Sequence, residues 1–478
     1  MTVLLVLLLV TGAWVGYHHF SFKQNDDQQR LEGKRNYLHH ISQIGVALQD
    51  APNIIFILYD DLGYGDFGAG AIRPGLIATP NIDALADGGM VLSDFHSPAP
   101  VCTPARAGYL TGRLAPRAGL PEVVFPSGSA KAFFFHTATG SRNNVRLPAE
   151  EITAAELLKA AGYKTGMVGK WHLGDQTPSL TNEFGFDSYY GALYSNDMEP
   201  FALYRDGKID VPSPVDQRYL SERYTEEALA FLERAGNERF FLYFAHNFPH
   251  DPLSTRPERL GKSTAGLYGD VMEEIDEGIG ALVAMLEKSG RLDNTLIIIT
   301  SDNGPWYLGN AGMQRGRKGN TFEGGMRVPF IAHWPAAIPE GQQSAAMAMG
   351  IDLVPTLLEI LKLPPPNDRV LDGKSLLVQL QSGAASAHDY LHYYDGETLF
   401  AVRDQRFKYR GPAGVFYGTD QMPIAGAVPQ KEWLFDLEKD PGESYDVSAS
   451  YPEKLIELRT EFERKRAEMA SNKRGWID

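Results

Sequence analysis

Three continuous apolar runs constrain this chain most. "NIIFILYDD" (53–61), "RFFLYFAH" (239–246) and "NTLIIITSDNG" (294–304) each hold a strand-length apolar stretch that ends in polar residues. Runs without alternation suit strands covered on both faces, as in a parallel sheet between layers of helices. Helical patterns lie between them. In "GDVMEEIDEGIGALVAMLEKSG" the residues Ile275, Ile279, Leu282, Val283 and Leu286 share one face. "TAAELLKAAGYKT" reads as helix, glycine stop, then strand. The expectation is an α/β chain with a large mixed, mostly parallel sheet flanked by helices over residues 51–375. Turn residues crowd the stretch 364–390, "LPPPNDRVLDGKSLLVQLQSGAASAHD". Beyond it, 376–478 reads as a smaller α+β subdomain. Its short antiparallel sheet comes from "HYYDG", "FAVRDQRFKYR" and "EWLFDLEKDPGE", and "PEKLIELRTEFERKRAEM" is its closing helix.

The N-terminus has a different texture. Residues 1–22 are apolar from Val3 to Tyr17, and Lys23 is the first charged side chain. The length suits an export signal, either cleaved or retained as a membrane anchor, which places the protein in the periplasm, outside the cell or on a membrane. Residues 23–50 read as a polar linker, part of it helical. The net charge of −15 excludes a nucleic-acid binder, so an anionic substrate must be held by locally clustered cations. A single cysteine excludes an internal disulfide.

In open α/β sheets ligands bind beyond the carboxyl ends of the strands. Those ends carry Asp60 with Asp61, His246 with His250 nearby, and Asp302 with Asn303. Aspartates after strands are also common turn formers, and both readings stand on spacing alone. As a cluster, the hard oxygens suit Ca²⁺ or Mg²⁺ better than zinc. The lone cysteine, Cys102, lies in "VCTPARAGYLTGR" (101–113). Pro104 fits the first turn of a helix that would have Cys102 at its N-terminus and Arg106 in reach of the same spot. Helix dipole and guanidinium both favour an anion there, so an unmodified thiol is expected to be a reactive thiolate. The competing reading of Cys102 is a small buried hydrophobe.

"CTPARAGYLTGR" resembles the signature of the type I sulfatases, whose Cys-x-Pro-x-Arg motif directs oxidation of cysteine to formylglycine. "DDLGYGDFG" (60–68), "GYKTGMVGKWHLG" (162–174), "SDNG" (301–304) and "GRKGNTFEGGMRVPFIAHWP" (316–335) resemble further sulfatase blocks in the expected order. "YGALYSND" (190–197) and "HDPL" (250–253) bring the likeness to the arylsulfatase A-like group, and it runs from about residue 51 to the C-terminus. The resemblance implies an alkaline phosphatase-like sulfatase fold and a sulfuric ester hydrolase that releases sulfate from an aryl sulfate or a sulfated glycan. It also implies Cys102 converted to 3-oxoalanine by a formylglycine-generating maturation enzyme.

Carried over by position, Asp60, Asp61, Asp302 and Asn303, with modified Cys102, match the metal ligands, for Ca²⁺ with Mg²⁺ as the alternative. Arg106 matches the residue steadying the hydrated aldehyde. Lys170 and His172 match the pair of the "GKWHLG" block, and Ser195 a serine near the hydrate. His250 matches the substrate-side histidine and Lys318 the sulfate-holding lysine. In the implied chemistry the hydrate attacks sulfur with Asp302 as base, His250 protonates the leaving alcohol, and His172 takes the second proton. His246 is left without a role. The loop "FFFHTATGSRNN" (133–144) is read as shaping the substrate mouth through His136 or Arg142, or else as packing on the surface. Two competing functions remain at this stage. One is a phosphatase or phosphonate monoester hydrolase on the same scaffold, and the other is a catalytically silent anchored anion-binding protein.

Overall fold

The computed structural model describes residues 10–12, 24–44, 51–67, 76–132, 145–412 and 431–477. The three apolar runs become three neighbouring strands in the middle of one sheet. Among the described residues this sheet has ten strands: β1 (Asn53–Tyr59), β2 (Met90–Leu92), β3 (Lys164–Gly169), β4 (Ser188–Gly191), β5 (Leu203–Arg205), β6 (Lys208–Val211), β7 (Phe240–Ala245), β8 (Thr295–Ser301), β9 (Phe330–His333) and β10 (Gln342–Ser344). They lie in the order β10-β2-β9-β8-β1-β7-β3-β4-β5-β6. The central run β8-β1-β7-β3-β4 is parallel, with Ile54 beside both Phe241 and Leu296. Strands β9, β5 and β6 add antiparallel pairings on either side.

Alternate residues of β1 feed two cores. Ile54, Phe56 and Leu58 face one, and Ile55, Ile57 and Tyr59 the other. Helices α1 (Gln28–Ile44), α2 (Cys102–Thr111) and α3 (Ala154–Ala160) contribute to the first, and α4 (Leu220–Ala235) and α5 (Gly266–Lys288) to the second. Burial on both faces explains why the strand sequences carry no polar alternation. Helix α3 starts where Thr153 and Glu156 form a reciprocal capping box.

The stretch read as a linker differs from expectation. Helix α1 is docked, with Ile41 fully buried. Lys34 is buried too, 2.6 Å from Glu156, and it donates to the carbonyls of Ala149 and Glu151 at 2.8 and 2.7 Å. Sequence polarity hid this because a lysine can bury its stem and satisfy its ammonium on carbonyls. The apolar segment 1–22 lies outside the described residues except for positions 10–12. No helix among the described residues is long and apolar enough to cross a membrane.

The C-terminal part forms the expected antiparallel sheet: β11 (Leu391–Asp395), β12 (Thr398–Arg403), β13 (Phe407–Arg410) and β14 (Trp433–Asp436). Helix α6 (Pro452–Ser471) covers it with Leu458, Phe462 and Met469. This sheet reaches the main body through buried charge. Glu323 accepts from Lys408 at 2.9 Å, from Arg403 at 3.1 Å and from Tyr393 at 3.3 Å, and lies 2.8 Å from the Nε2 of His96. Burial opposes ionisation of Glu323, but Lys408, His96 and Arg403 hold its carboxyl well below the usual range.

Removing one partner of such a cluster leaves charge stranded in the interior. Lys408→Met is therefore expected to destabilise the protein by about 3–5 kcal/mol in urea unfolding. Lys473→Met, which breaks the exposed pair with Glu397, is expected to cost less than about 1 kcal/mol. A pH effect follows from Glu122, which lies against Gly396. Burial, then Asp395 and Glu397, push it up to about 7 from 4.5. The folded chain then holds a proton that the unfolded chain releases, so stability falls as pH rises between those values and levels off above them. Glu122→Gln should raise the unfolding free energy at pH 8 by about 1–3 kcal/mol and leave it unchanged at pH 4.

Candidate active site

The polar ends of the central strands meet at one edge of the sheet. Backbone pairing continues past the strand ends and fixes them. His246 N–H donates to Leu58 O at 2.9 Å, Asp302 N–H to Tyr59 O at 3.0 Å, and Lys170 N–H to Ala245 O at 2.7 Å. Only glycine fits at position 169, where φ is +111° and a Cβ would collide with the Ala245 carbonyl. Helix α2 starts over this edge with Cys102 as its first residue and Pro104 in its first turn.

The side chains form one connected cluster. The Sγ of Cys102 lies 3.4 Å from Asp60 Oδ1. Arg106 Nε donates to Asp302 Oδ2 at 2.9 Å, and its Nη1 to the Lys170 carbonyl at 2.7 Å. Lys170 Nζ pairs with Asp60 at 2.5 Å, and Lys318 Nζ with Asp61 at 2.8 Å. Asn303 Nδ2 donates to Asp61 Oδ1 at 2.7 Å. His250 Nε2 lies 3.8 Å from Asp61, while its Nδ1 is bonded to the Asp251 carbonyl at 2.6 Å. Three carboxylates thus face three permanent cations: Arg106, Lys170 and Lys318.

Electrostatics sets the protonation states. Burial alone would raise Asp60, but Lys170, His250, Arg106 and Lys318 hold it well below the usual carboxylate range. Asp302 has less compensation, and burial with the Asp60 charge pushes it up to about 7. Burial, then Lys170 and Arg106, hold His172 well below its ordinary value, so it is neutral. Its Nε2 lies 3.0 Å from the Val124 carbonyl, a bond only an N–H can make, which leaves Nδ1 as a buried lone pair without a partner. The thiol corrects the sequence reading. Burial, then the adjacent Asp60, push Cys102 far above an ordinary thiol, and Lys170 and Lys318 only partly oppose them. An unmodified Cys102 is therefore a protonated, inert group and not a reactive thiolate.

The cluster fits a hard cation. Ligand atoms of Asp60, Asp61, Cys102 and His250 all lie within 4.8 Å of one another. Asn303 Oδ1 is buried, with no hydrogen-bond partner among the described residues, an orphan that a cation would satisfy. Both oxygens of Asp302 already accept, from Arg106 and from Asp61 N–H at 3.2 Å, yet each keeps a second lone pair.

Every expected site residue except Ser195 is tied by contact or by charge to this cluster. Ser195 is buried with its hydroxyl unpartnered, and no hydrogen bond joins it to the charged groups. His246 turns away. Its Nδ1 accepts from Phe248 N–H at 3.0 Å, and the ring sits among Tyr224, Phe244 and Phe248. Burial lowers it to about 3, so it is a neutral packing residue. His136 and Arg142 lie outside the described residues. Sequence reading passed over Ser97, whose hydroxyl bonds the Asp302 carbonyl, and Tyr109, whose hydroxyl donates to Ser301 O at 2.8 Å. Both fix the metal-side strand end, and nothing in their sequence context signals it.

The sulfatase family model matches residues 52–363, and the model of the N-sulphoglucosamine sulphohydrolase C-terminal region matches 317–470. The chain is 35% identical over 450 residues to N-acetylgalactosamine-6-sulfatase of Mus musculus, covering 85% of each. It is 35% identical over 466 residues to arylsulfatase A of Homo sapiens, covering 87% of this chain and 88% of that one. Among solved structures, Ps i-CgsB in complex with k-i-k-neocarrahexaose superposes with a TM-score of 0.73 at 30% identity, covering 87% of this chain and 92% of that one. The first two proteins named in these matches are sulfatases, which agrees with the resemblance read from the sequence. The chain belongs to the sulfatase family, in its type I, arylsulfatase A-like group, and is a sulfate-ester hydrolase.

Proposed function

We propose that the cluster around Cys102 cleaves sulfate esters of glycans, with Ca²⁺ held by Asp60, Asp61, Asp302 and Asn303 and with Cys102 oxidised to formylglycine by a maturation enzyme. The single observation that carries the reading is a buried thiol, 3.4 Å from Asp60, beside an unpartnered Asn303 oxygen in a field of three cations. A thiol that cannot ionise is a poor nucleophile. The oxidised, hydrated side chain would supply a hydroxyl nucleophile, and the cation would lower the cost of ionising it.

The chain's own residues account for the rest. Arg106, Lys170 and Lys318 supply fixed positive charge for the non-bridging sulfate oxygens, which the net charge of −15 does not provide. Asp302 takes the proton of the attacking hydroxyl. His250 bonds the Asp251 carbonyl through Nδ1–H, so Nε2, 3.8 Å from Asp61, is the atom turned to the departing alcohol. Burial lowers its pKa, and it delivers a proton only as the imidazolium that the nearby Asp61 and Asp60 charges favour. His172 offers the Nδ1 lone pair as the second base. The sugar in the name of N-acetylgalactosamine-6-sulfatase and the hexaose bound to Ps i-CgsB support a glycan substrate here. The apolar segment at 1–22 supports export.

Two measurements test this reading. Mass spectrometry of the peptide containing position 102, from active protein, should find the aldehyde or its hydrate, and Cys102→Ala should release no sulfate; full turnover with an intact thiol would refute the reading. Chelation should lower sulfate release roughly 10²-fold or more. Added Ca²⁺ should restore it and raise the melting temperature, and Asp61→Asn should remove both responses.

A further inference from the structure

The loop 304–319 leaves β8 immediately after Asn303 and returns at Lys318, so both its ends meet Asp61. Between those ends it shows apolar groups to solvent. Trp306 is half-buried, while Tyr307, Leu308 and Met313 are 49%, 52% and 59% exposed. The rings of Trp306 and Tyr307 meet edge to face, with centroids 4.9 Å apart and an angle of 74°. The Arg317 guanidinium sits 5.7 Å from the Tyr307 centroid and donates to the carbonyls of Trp306 and Gly309 at 2.7 and 2.8 Å.

This loop is anchored. Gly65 N–H donates to Asn310 O at 2.8 Å, and Asn310 N–H donates to buried Asp66, which also accepts from Tyr268 at 2.7 Å. A Cβ at Gly63 would collide with the Asn310 carbonyl. Lys318 N–H closes the loop on Pro305 O at 3.1 Å. A single exposed hydrophobe needs no explanation, but several on one immobilised loop beside a charged cleft do.

We infer that the Trp306–Tyr307 corner is a stacking subsite for the sugar ring linked to the sulfated one, which makes the substrate a sulfated oligosaccharide or polysaccharide. This rests on the sulfate-cleft reading above. The reach is right, because Tyr307 is four residues from Asn303 and at most about 14 Å away along the chain, one to two sugar rings. The chemistry is right as well. One face of a pyranose is a sheet of C–H groups that fits the negative face of an aromatic ring, while its edge carries hydroxyls. Arg317 covers one face of Tyr307 and braces the loop through the Trp306 and Gly309 carbonyls, which leaves the opposite face of Tyr307 for the sugar. A lipid surface would want continuous apolar area, whereas here exposed Asn310 and half-buried Arg315 and Arg317 lie among the apolar side chains.

The test compares 4-nitrophenyl sulfate with sulfated tetrasaccharides built on hexosamine, galactose and fucose backbones, using the full-length matured protein. At least one tetrasaccharide should be a substrate. Tyr307→Ala should lower its kcat/KM about tenfold more than that of 4-nitrophenyl sulfate, mainly through KM, the scale set by losing one stacked ring. Tyr307→Phe should keep most of the wild-type value. Equal losses on both substrates would overturn the inference. So would turnover of 4-nitrophenyl sulfate without cleavage or competitive binding of any tetrasaccharide, or a loss confined to vesicles carrying a sulfated lipid. If the unsubstituted protein turns over neither substrate, the sulfate-cleft reading fails first and takes this one with it.

Discussion

Buried negative charge organises this molecule. Asp60, Asp61 and Asp302 sit at the ends of neighbouring strands with almost no exposure, and such a set cannot stay ionised without matched cations. Arg106, Lys170 and Lys318 answer it, each from a different segment: the start of helix α2, the end of β3, and the loop returning from β8. The same pairings that make the fold tolerable assemble a positive field around Cys102. Structural and chemical requirements coincide here, since a group that offsets a carboxylate also faces the position of an anionic ester.

The C-terminal sheet belongs to this arrangement more closely than its place in the chain suggests. Glu323 draws Lys408 and Arg403 into the interior, and Glu443 accepts the Glu323 N–H at 2.6 Å. The adjoining Gly324 and Gly325 lie too close to the backbone of residues 315–320 for any side chain, and Gly304 lies too close to theirs. The turn that carries Lys318 is thereby wedged between the metal-side strand end and the C-terminal sheet. A small sheet with its own core under α6 thus buttresses the active edge through salt links and glycine contacts.

Much of this was legible in advance, for definite reasons. The apolar runs specified buried strands because burial on both faces removes the polar alternate. Pro104 and Arg106 specified the helix over the site because proline is tolerated only in a first turn and position i+4 returns to the same face. Other features misled. The 23–50 stretch read as a polar, partly helical linker because its polar residues outnumber its apolar ones; its helix is docked on the main body, with Lys34 held by Glu156 and two carbonyls. Cys102 looked like a thiolate because local rules count the helix dipole and the nearest guanidinium, and they cannot count Asp60 arriving from another strand.

By itself the sequence determined the α/β architecture, the polar strand ends that come together and the cysteine motif of the family, because each is encoded in short-range pattern: apolar continuity, turn residues and a motif of five positions. The tertiary structure alone decided which carboxylate each cation meets, which histidine nitrogen is left bare, that His246 faces an aromatic pocket, and that Trp306 and Tyr307 meet edge to face on an anchored loop. Those outcomes depend on distances between segments tens to hundreds of residues apart, and on the competition between burial and neighbouring charge, which only packing fixes.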